Sequence, residues 1–312
     1  MINNDILKIK DLCSLKLLQK CKLCPRKCLV NRLEGELGFC TASMDVKIAN
    51  VSLHHWEEPC ISGVLGSGTV FFSNCNLKCV FCQNYKISRE GTGKTVSINR
   101  LSEIFLEEQM RGALNINLVT PTHYVPQIIE ALKLAKGNGL YIPILYNSNG
   151  YENIDTIKEL NGFIDVYLPD LKYYNDKYAL KYSMAPDYFN IASEAITEMV
   201  LQVGKIKFDN KGIIQRGVII RHLMLPGLLF DSKKVIDFIY NNFNDDVYIS
   251  LMNQYTPMQG AFGFPEINKT LNPLHYDALI DYCLNLGITN CFIQGSGTSS
   301  TNFVPDFDFS GV

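Results

Sequence analysis

The 312-residue sequence predicts an α/β fold: a partial (β/α)6 TIM-like barrel behind a small N-terminal cysteine-rich metal module. Short apolar runs alternate with stretches at helical spacing between Thr69 and Ile293, the pattern of repeated β/α units. Each run finishes in polar residues, and parallel barrels build their sites at the carboxyl ends of their strands. Seven of the eleven cysteines fall into two tight groups, which favours metal ligation over disulfides.

Residues 1–20 carry Ile2, Ile6, Ile9, Cys13 and Leu17 at helical spacing and predict a short amphipathic helix. Cys21, Cys24, Cys28 and Cys40 follow as C-x2-C-x3-C-x11-C, with Gly35 and Gly38 as turn formers. Four soft ligands so close can form a tetrahedral zinc site or hold a second iron–sulfur cluster. Free thiols are the poorer reading, because so small an element has no core of its own. Val46–Val51 reads as a β segment. Leu53–Gly68 then gathers His54, His55, Glu57 and Glu58 near the next cysteines, either as substrate-handling groups or as a hydrogen-bonded polar lid. Cys60 has no partner at ligand spacing and reads as a free thiol.

The run Thr69–Ser73 is the first barrel strand, and Cys75, Cys79 and Cys82 lie on the loop that leaves it. Leu101–Arg111 is a helix and Leu114–Thr120 the second strand. A helix over Pro126–Lys136 ends at Gly137 and Gly139. Tyr141–Tyr146, Phe163–Leu168, Gly217–Leu223 and Val247–Met252 supply strands three to six, with Thr289–Ile293 a last short one. Helices over Ile154–Leu160, Asp176–Tyr182, Ile191–Val203, Ser232–Phe243 and Tyr276–Leu286 fill the intervals. His222 and His275 read as structural histidines, Cys283 and Cys291 as core. Gly295–Thr301 is a linker or hinge, and Phe303–Phe309 is apolar enough to dock back over the barrel mouth.

Acidic and basic residues nearly balance, 31 against 29, with no polybasic run, so nucleic acid is not a favoured partner. No stretch approaches the ~18 apolar residues of a membrane span. The amino terminus lacks a basic-then-apolar secretion signal, so the expected compartment is the cytoplasm.

Three thiolates on a tight loop can hold three corners of a cubic iron–sulfur cluster and leave the fourth iron open. C-x3-C-x2-C with Phe81 before the last cysteine is the signature of the radical S-adenosylmethionine superfamily. The wider wording Ser73–Asn84 resembles its pyruvate formate-lyase activating-enzyme-like branch, as do the spacing of Cys21 to Cys40 and the steps Cys24-Pro25-Arg26 and Val30-Asn31-Arg32. The resemblance implies a [4Fe–4S] cluster on Cys75, Cys79 and Cys82. It implies reductive cleavage of S-adenosylmethionine to methionine and a 5′-deoxyadenosyl radical, with an electron donor such as flavodoxin or ferredoxin. It places Asn149, Asp170, Lys172 and Arg221 at the cofactor, and Tyr255 beside them. Strand two ends in Thr120-Pro121-Thr122-His123 rather than the superfamily's Gly-Gly-Glu turn, which leaves Thr122 and His123 as candidates for the methionine amino group.

The expected division is a four-cysteine module over 1–52, the barrel over 53–294 and a tail or lid over 295–312. No residue is singled out as catalytic. The substrate is a glycine of a partner enzyme, another peptide, or a small molecule. The competing readings are a zinc-binding scaffold that uses both cysteine groups structurally, and an electron carrier without substrate.

Overall fold

The computed structural model describes residues 13–295 and 304–312. Most of the expected amino-terminal helix and of the Gly295–Thr301 hinge lies outside the described residues; Cys13–Leu18 is a 3-10 turn. β1 (Val46–His54) runs antiparallel to β2 (Ser67–Phe72), and the short β3 (Lys94–Val96) pairs with β1 on its other edge. From β2 a parallel sheet proceeds in chain order through β4 (Ile116–Val119), β5 (Ile144–Ser148) and β6 (Val166–Pro169). It continues past β7 (Lys207–Phe208), an antiparallel strand hung on β8 (Ile214–Leu223). β9 (Tyr248–Met252) and β10 (Cys291–Ile293) complete it. β10 and β3 are the two edges, so the barrel stays open.

α1 (Pro59–Ser62) and α2 (Tyr85–Ser88) are single turns next to β2, and longer helices cover the outer face: α3 (Ile98–Met110), α4 (Val125–Gly137), α5 (Ile154–Glu159), α6 (Asp176–Ser183), α7 (Tyr188–Val203), α8 (Leu229–Phe243) and α9 (Pro273–Asn285). Several start where the sequence supplies a cap. Ser97 accepts the Arg100 N–H ahead of α3, and Asn153, Asn175 and Asn272 accept backbone N–H groups ahead of α5, α6 and α9. The third strand starts three residues later than its apolar run, at Ile144, after Pro143, which has no N–H for a ladder.

Strand pleating decides which side chains enter the barrel. Leu145, Val166, Leu168 and Ile219 face inward, while their neighbours Tyr146, Tyr167 and Ile220 pack under the helices. One pleat further along the same faces come Asn147, Asp170 and Arg221, so an apolar barrel interior turns polar at its mouth.

Two segments close the barrel, the first in a way the sequence did not indicate and the second by the docking that its apolar residues led one to expect. Because β1 is antiparallel, His54 pairs with Ser67 at the start of β2, and the chain enters α1 at the amino-terminal end of the strands. There Cys60 and Ile61 pack on Leu145, Val166 and Ile214 as a plug. The group His54 to Glu58 therefore approaches from the floor, opposite the cysteine loop. At the carboxyl terminus, Phe309 N–H bonds the Ala49 carbonyl at 3.1 Å and Val51 N–H bonds the Ser310 carbonyl at 2.9 Å. Phe307 stacks edge-on against Phe71 at 5.7 Å, so the tail docks along β1.

Candidate active site

The loop after β2 begins with Asn74 in the left-handed region at φ 77°, a conformation asparagine tolerates better than most residues. Its N–H bonds the Ile87 carbonyl at 2.8 Å and its side-chain amide donates to the Thr41 hydroxyl at 2.7 Å. This turn presents Cys75, Cys79 and Cys82, and each sulfur meets a donor. Cys75 accepts from Leu77 N–H and Asn149 Nδ2, each at 3.4 Å. Cys79 accepts from the Ser183 hydroxyl at 3.0 Å. Cys82 lies 3.2 Å from the Ser88 hydroxyl. Burial pushes the Cys75 thiol up to about 12 and raises Cys79, which Lys172 pulls back down. Buried thiols of this kind become thiolates when a cation sits on them.

Among the described residues, no three His, Cys, Asp or Glu side chains are gathered as a ready-made site for a single metal ion. The donor set nonetheless fits a sulfide-bridged cluster, whose ligand sulfurs stand further apart than those around one ion. It offers three thiols from one loop, each with a hydrogen-bond donor of the sort that tunes cluster sulfurs.

Cys79 and Cys82 border a cavity of about 540 Å³ at the barrel mouth, with Phe81, Val119, Leu223, Met252 and Tyr255 as apolar walls. Val304 and Pro305 of the tail line its rim. Inside it, Arg221 donates to Asp170 at 3.3 Å, to Glu57 at 3.2 Å and to the Asn147 side-chain oxygen. Lys172 also pairs with Asp170. Burial alone would raise the Asp170 carboxyl, but Lys172 and Arg221 together hold it below the usual range. Burial likewise opposes the Lys172 charge, and Asp170 restores it. Gly150 makes this cluster possible: at φ 79° its missing Cβ leaves room for the Asp170 carbonyl, which any side chain would meet at 2.0 Å.

The expected cofactor residues divide into groups. Asp170, Lys172 and Arg221 come together in the cavity. Asn149 stands behind Cys75, bonded also to the Asn76 side chain at 2.7 Å. Tyr255 lines the wall with its hydroxyl on the Ile267 carbonyl at 2.7 Å. Thr122 and His123 are placed elsewhere. Thr122 donates to the buried Glu152 at 2.6 Å, and His123 Nε2 donates to the Ser73 carbonyl at 2.8 Å, the proton going to the only acceptor of the pair. His123 lines a second, small cavity together with Cys21, Cys24, Cys28 and Cys40. Those four thiols line that cavity without closing into a site for a single metal ion; Phe39 N–H reaches Cys28 Sγ at 3.3 Å, and a side chain at Gly38 would strike Cys28 at 2.9 Å.

Sequence reasoning passed over Asn147 and did not separate Glu57 from Glu58. The pleat parity of the third strand would have pointed to Asn147; nothing local marks Glu57, whose partners Arg221 and Asn117 come from distant strands. His222 is buried with its Nδ1 on the Leu171 carbonyl at 2.7 Å and its Nε2 without a partner, and Cys60 and Cys283 are buried free thiols.

Comparison with known proteins accords with this geometry. The radical SAM superfamily matches residues 69–239, more than half of the chain. An uncharacterised protein of Methanocaldococcus jannaschii is 31% identical over 280 residues, covering 86% of this chain and 76% of that one. A second from the same organism is 23% identical over 158 residues, and the match spans 46% of its length. Among solved structures, Streptococcus suis SuiB bound to S-adenosylmethionine is similar at 15% identity and TM-score 0.49, over 73% of this chain and 50% of that chain. A domain of pyruvate-formate lyase-activating enzyme from Bacteroides vulgatus is similar at 15% identity and TM-score 0.40, over 55% of this chain and 92% of that chain. The cysteine loop, the open parallel barrel and the matched span agree: the chain belongs to the radical SAM superfamily, which implies a [4Fe–4S] cluster and S-adenosylmethionine.

Proposed function

We propose that this protein cleaves S-adenosylmethionine reductively and uses the resulting radical to take a hydrogen atom from a substrate held in the barrel. The observation that carries this reading is the shared cavity, in which two of the three loop thiols face the buried Asp170–Lys172–Arg221 cluster. Cys75, Cys79 and Cys82 would hold the cluster. When bound and reduced, it supplies the electron that splits the sulfonium C–S bond into methionine and a 5′-deoxyadenosyl radical.

The chain's own part is positioning and exclusion. Ser183, Ser88, Asn149 and the Leu77 N–H bond the three sulfurs and set the loop's shape. Lys172 and Arg221 offer cations to a carboxylate, and Asp170 and Asn147 offer acceptors to hydroxyl or amino groups; by family resemblance these belong to the cofactor. Phe81, Val119, Leu223 and Met252 keep water from the reacting carbon. The four-cysteine module would hold zinc or a second cluster, and the tail over 295–312 would act as a lid. A flavodoxin or ferredoxin as electron donor, a cytoplasmic setting and an activating-enzyme-like role on a protein glycine, another peptide or a small molecule complete the reading.

The test is anaerobic purification with iron, sulfide and zinc counted, then dithionite and S-adenosylmethionine. About four irons per chain assigned to the loop, with 5′-deoxyadenosine released, is the expected result. Loss of both in Cys79→Ala should accompany it. A protein that holds only zinc and leaves S-adenosylmethionine intact would overturn the reading.

A further inference from the structure

Glu57 and Glu58 are neighbours on the cavity floor, yet their chemistry differs. Both Glu57 oxygens are taken: Oε1 by the Asn117 amide at 3.0 Å and Oε2 by Arg221 at 3.2 Å. Glu58 lines the same cavity, and its Oε2 is sealed from solvent with no hydrogen-bond partner. Burying a carboxyl oxygen without a partner is costly, and native structures rarely keep one without a use.

The cavity's own cations cannot supply that partner. Arg221 is spent on Asp170, Glu57 and Asn147, and Lys172 on Asp170. Three carboxyls thus face two cations, and the surplus one is Glu58. An incoming ammonium or guanidinium would meet a carboxyl held by Ser250 with its Oε2 still unpartnered; an incoming carboxylate would meet cations already engaged. Glu58 also lies on the floor, across the cavity from Cys79 and Cys82, where a substrate rather than a cluster-bound cofactor would rest.

We propose that Glu58 is the substrate-recognition residue of this cavity and that the substrate inserts a cationic nitrogen, an amine or guanidinium, toward the barrel floor. This rests on the cofactor reading above only in assigning the ligand as substrate. Trp56, the only tryptophan of the chain, lines the same cavity two residues away and serves as reporter.

The experiment titrates n-butylamine, n-butyrate and n-butanol into the anaerobic reconstituted protein, with and without S-adenosylmethionine, reading Trp56 emission. The expected result is a saturable response to the amine alone that persists with S-adenosylmethionine present. In Glu58→Gln it should weaken about tenfold or more, since a hydrogen bond to a charged group is lost. Glu58→Asp, which keeps the carboxyl, should retain part of it and guards against a Gln variant that fails to fold. No amine response, an equal response in Glu58→Gln, a preference for butyrate, or abolition of the response by S-adenosylmethionine would each overturn the proposal. Scoring 5′-deoxyadenosine from the same wild-type preparation keeps the claims apart: release without an amine response sinks the floor subsite and leaves the radical reading standing.

Discussion

Arg221 shows how one side chain sets both stability and site. With only 13% of its side chain exposed it neutralises Asp170 and Glu57 at once. Arg221→Met would leave two buried carboxylates short of a partner, and removal of one member of such a group costs roughly 3–5 kcal/mol. Urea unfolding should show that loss at neutral pH, whereas a change within 1 kcal/mol would mean the network is solvated rather than buried. Glu152 makes the opposite kind of prediction. Burial raises its carboxyl from the ordinary 4.5 to about 7, against hydrogen bonds from Thr122, Ser148 and Tyr146. Between those values the folded protein holds a proton that the unfolded chain has released. Stability should therefore be greatest at low pH in this window and fall as pH rises from about 5 to 7, by roughly 3 kcal/mol in all. Glu152→Gln should flatten that slope when melting is compared at pH 5 and pH 8; parallel curves for the two proteins would refute the assignment.

At the level of elements, the N-terminal module and the cysteine loop are held together on both sides of Cys75. Arg26 Nε donates to the Asn76 carbonyl at 3.0 Å, and the Asn74 amide donates to Thr41 at 2.7 Å. His123 holds the Ser73 carbonyl and is itself held by Arg32, which donates to its carbonyl at 2.7 Å. Arg26 and Thr41 stand within two residues of Cys24 and Cys40, so the module's sulfur geometry is passed directly to the loop. His123→Gln places an amide nitrogen near the old Nε2 and should keep the cluster's paramagnetic resonance signature, whereas His123→Leu should shift or broaden it. Indistinguishable spectra from the two variants would show that this link does not position the cluster. These same contacts explain what could be read from the chain and what could not. The cysteine spacings, the strand alternation and the polar strand ends are local, and they located the loop, the barrel and its polar mouth, while the choice of Asp170, Lys172 and Arg221 came from the family resemblance. Thr122 and His123 were assigned to the cofactor because they follow a strand end. Thr120, at φ 59°, begins a turn that carries them under the N-terminal module instead. The floor position of Glu57 and Glu58 depends on β1 being antiparallel, which is a long-range pairing with no local signal.

Across the whole molecule, cohesion is unevenly shared between the barrel and the module in front of it. The barrel's helices and strands share a large apolar core that runs from Cys40 to Ile288, with a smaller inward-facing cluster around Leu145, Val166 and Ile219. The module has a separate cluster of only Leu15, Leu18, Cys21 and Leu23, with Val30, Leu33, Met44 and, from α3, Ile98 at its edge. So small a core stabilises little by itself, and on the proposed reading the metal held by the module's four sulfurs supplies the rest. The buried Arg32, 1% exposed and bonded to the Ser43 and His123 carbonyls, anchors one side of it to the barrel, while the Cys21–Cys28 turn is tied by hydrogen bonds from Arg26 to the Asn76 carbonyl at 3.0 Å and from Asn153 to the Lys22 carbonyl at 2.6 Å. Stripping metal with a chelator under anaerobic reducing conditions should therefore loosen residues 19–31 first. In hydrogen exchange followed by mass spectrometry, amides of that segment should lose protection while β4, β5 and β6 keep theirs. Simultaneous loss of protection in the module and in those three strands would mean that the metal-binding turn and the barrel form one cooperative unit, and that the hydrogen bonds around Cys75 bind them more tightly than the small core implies.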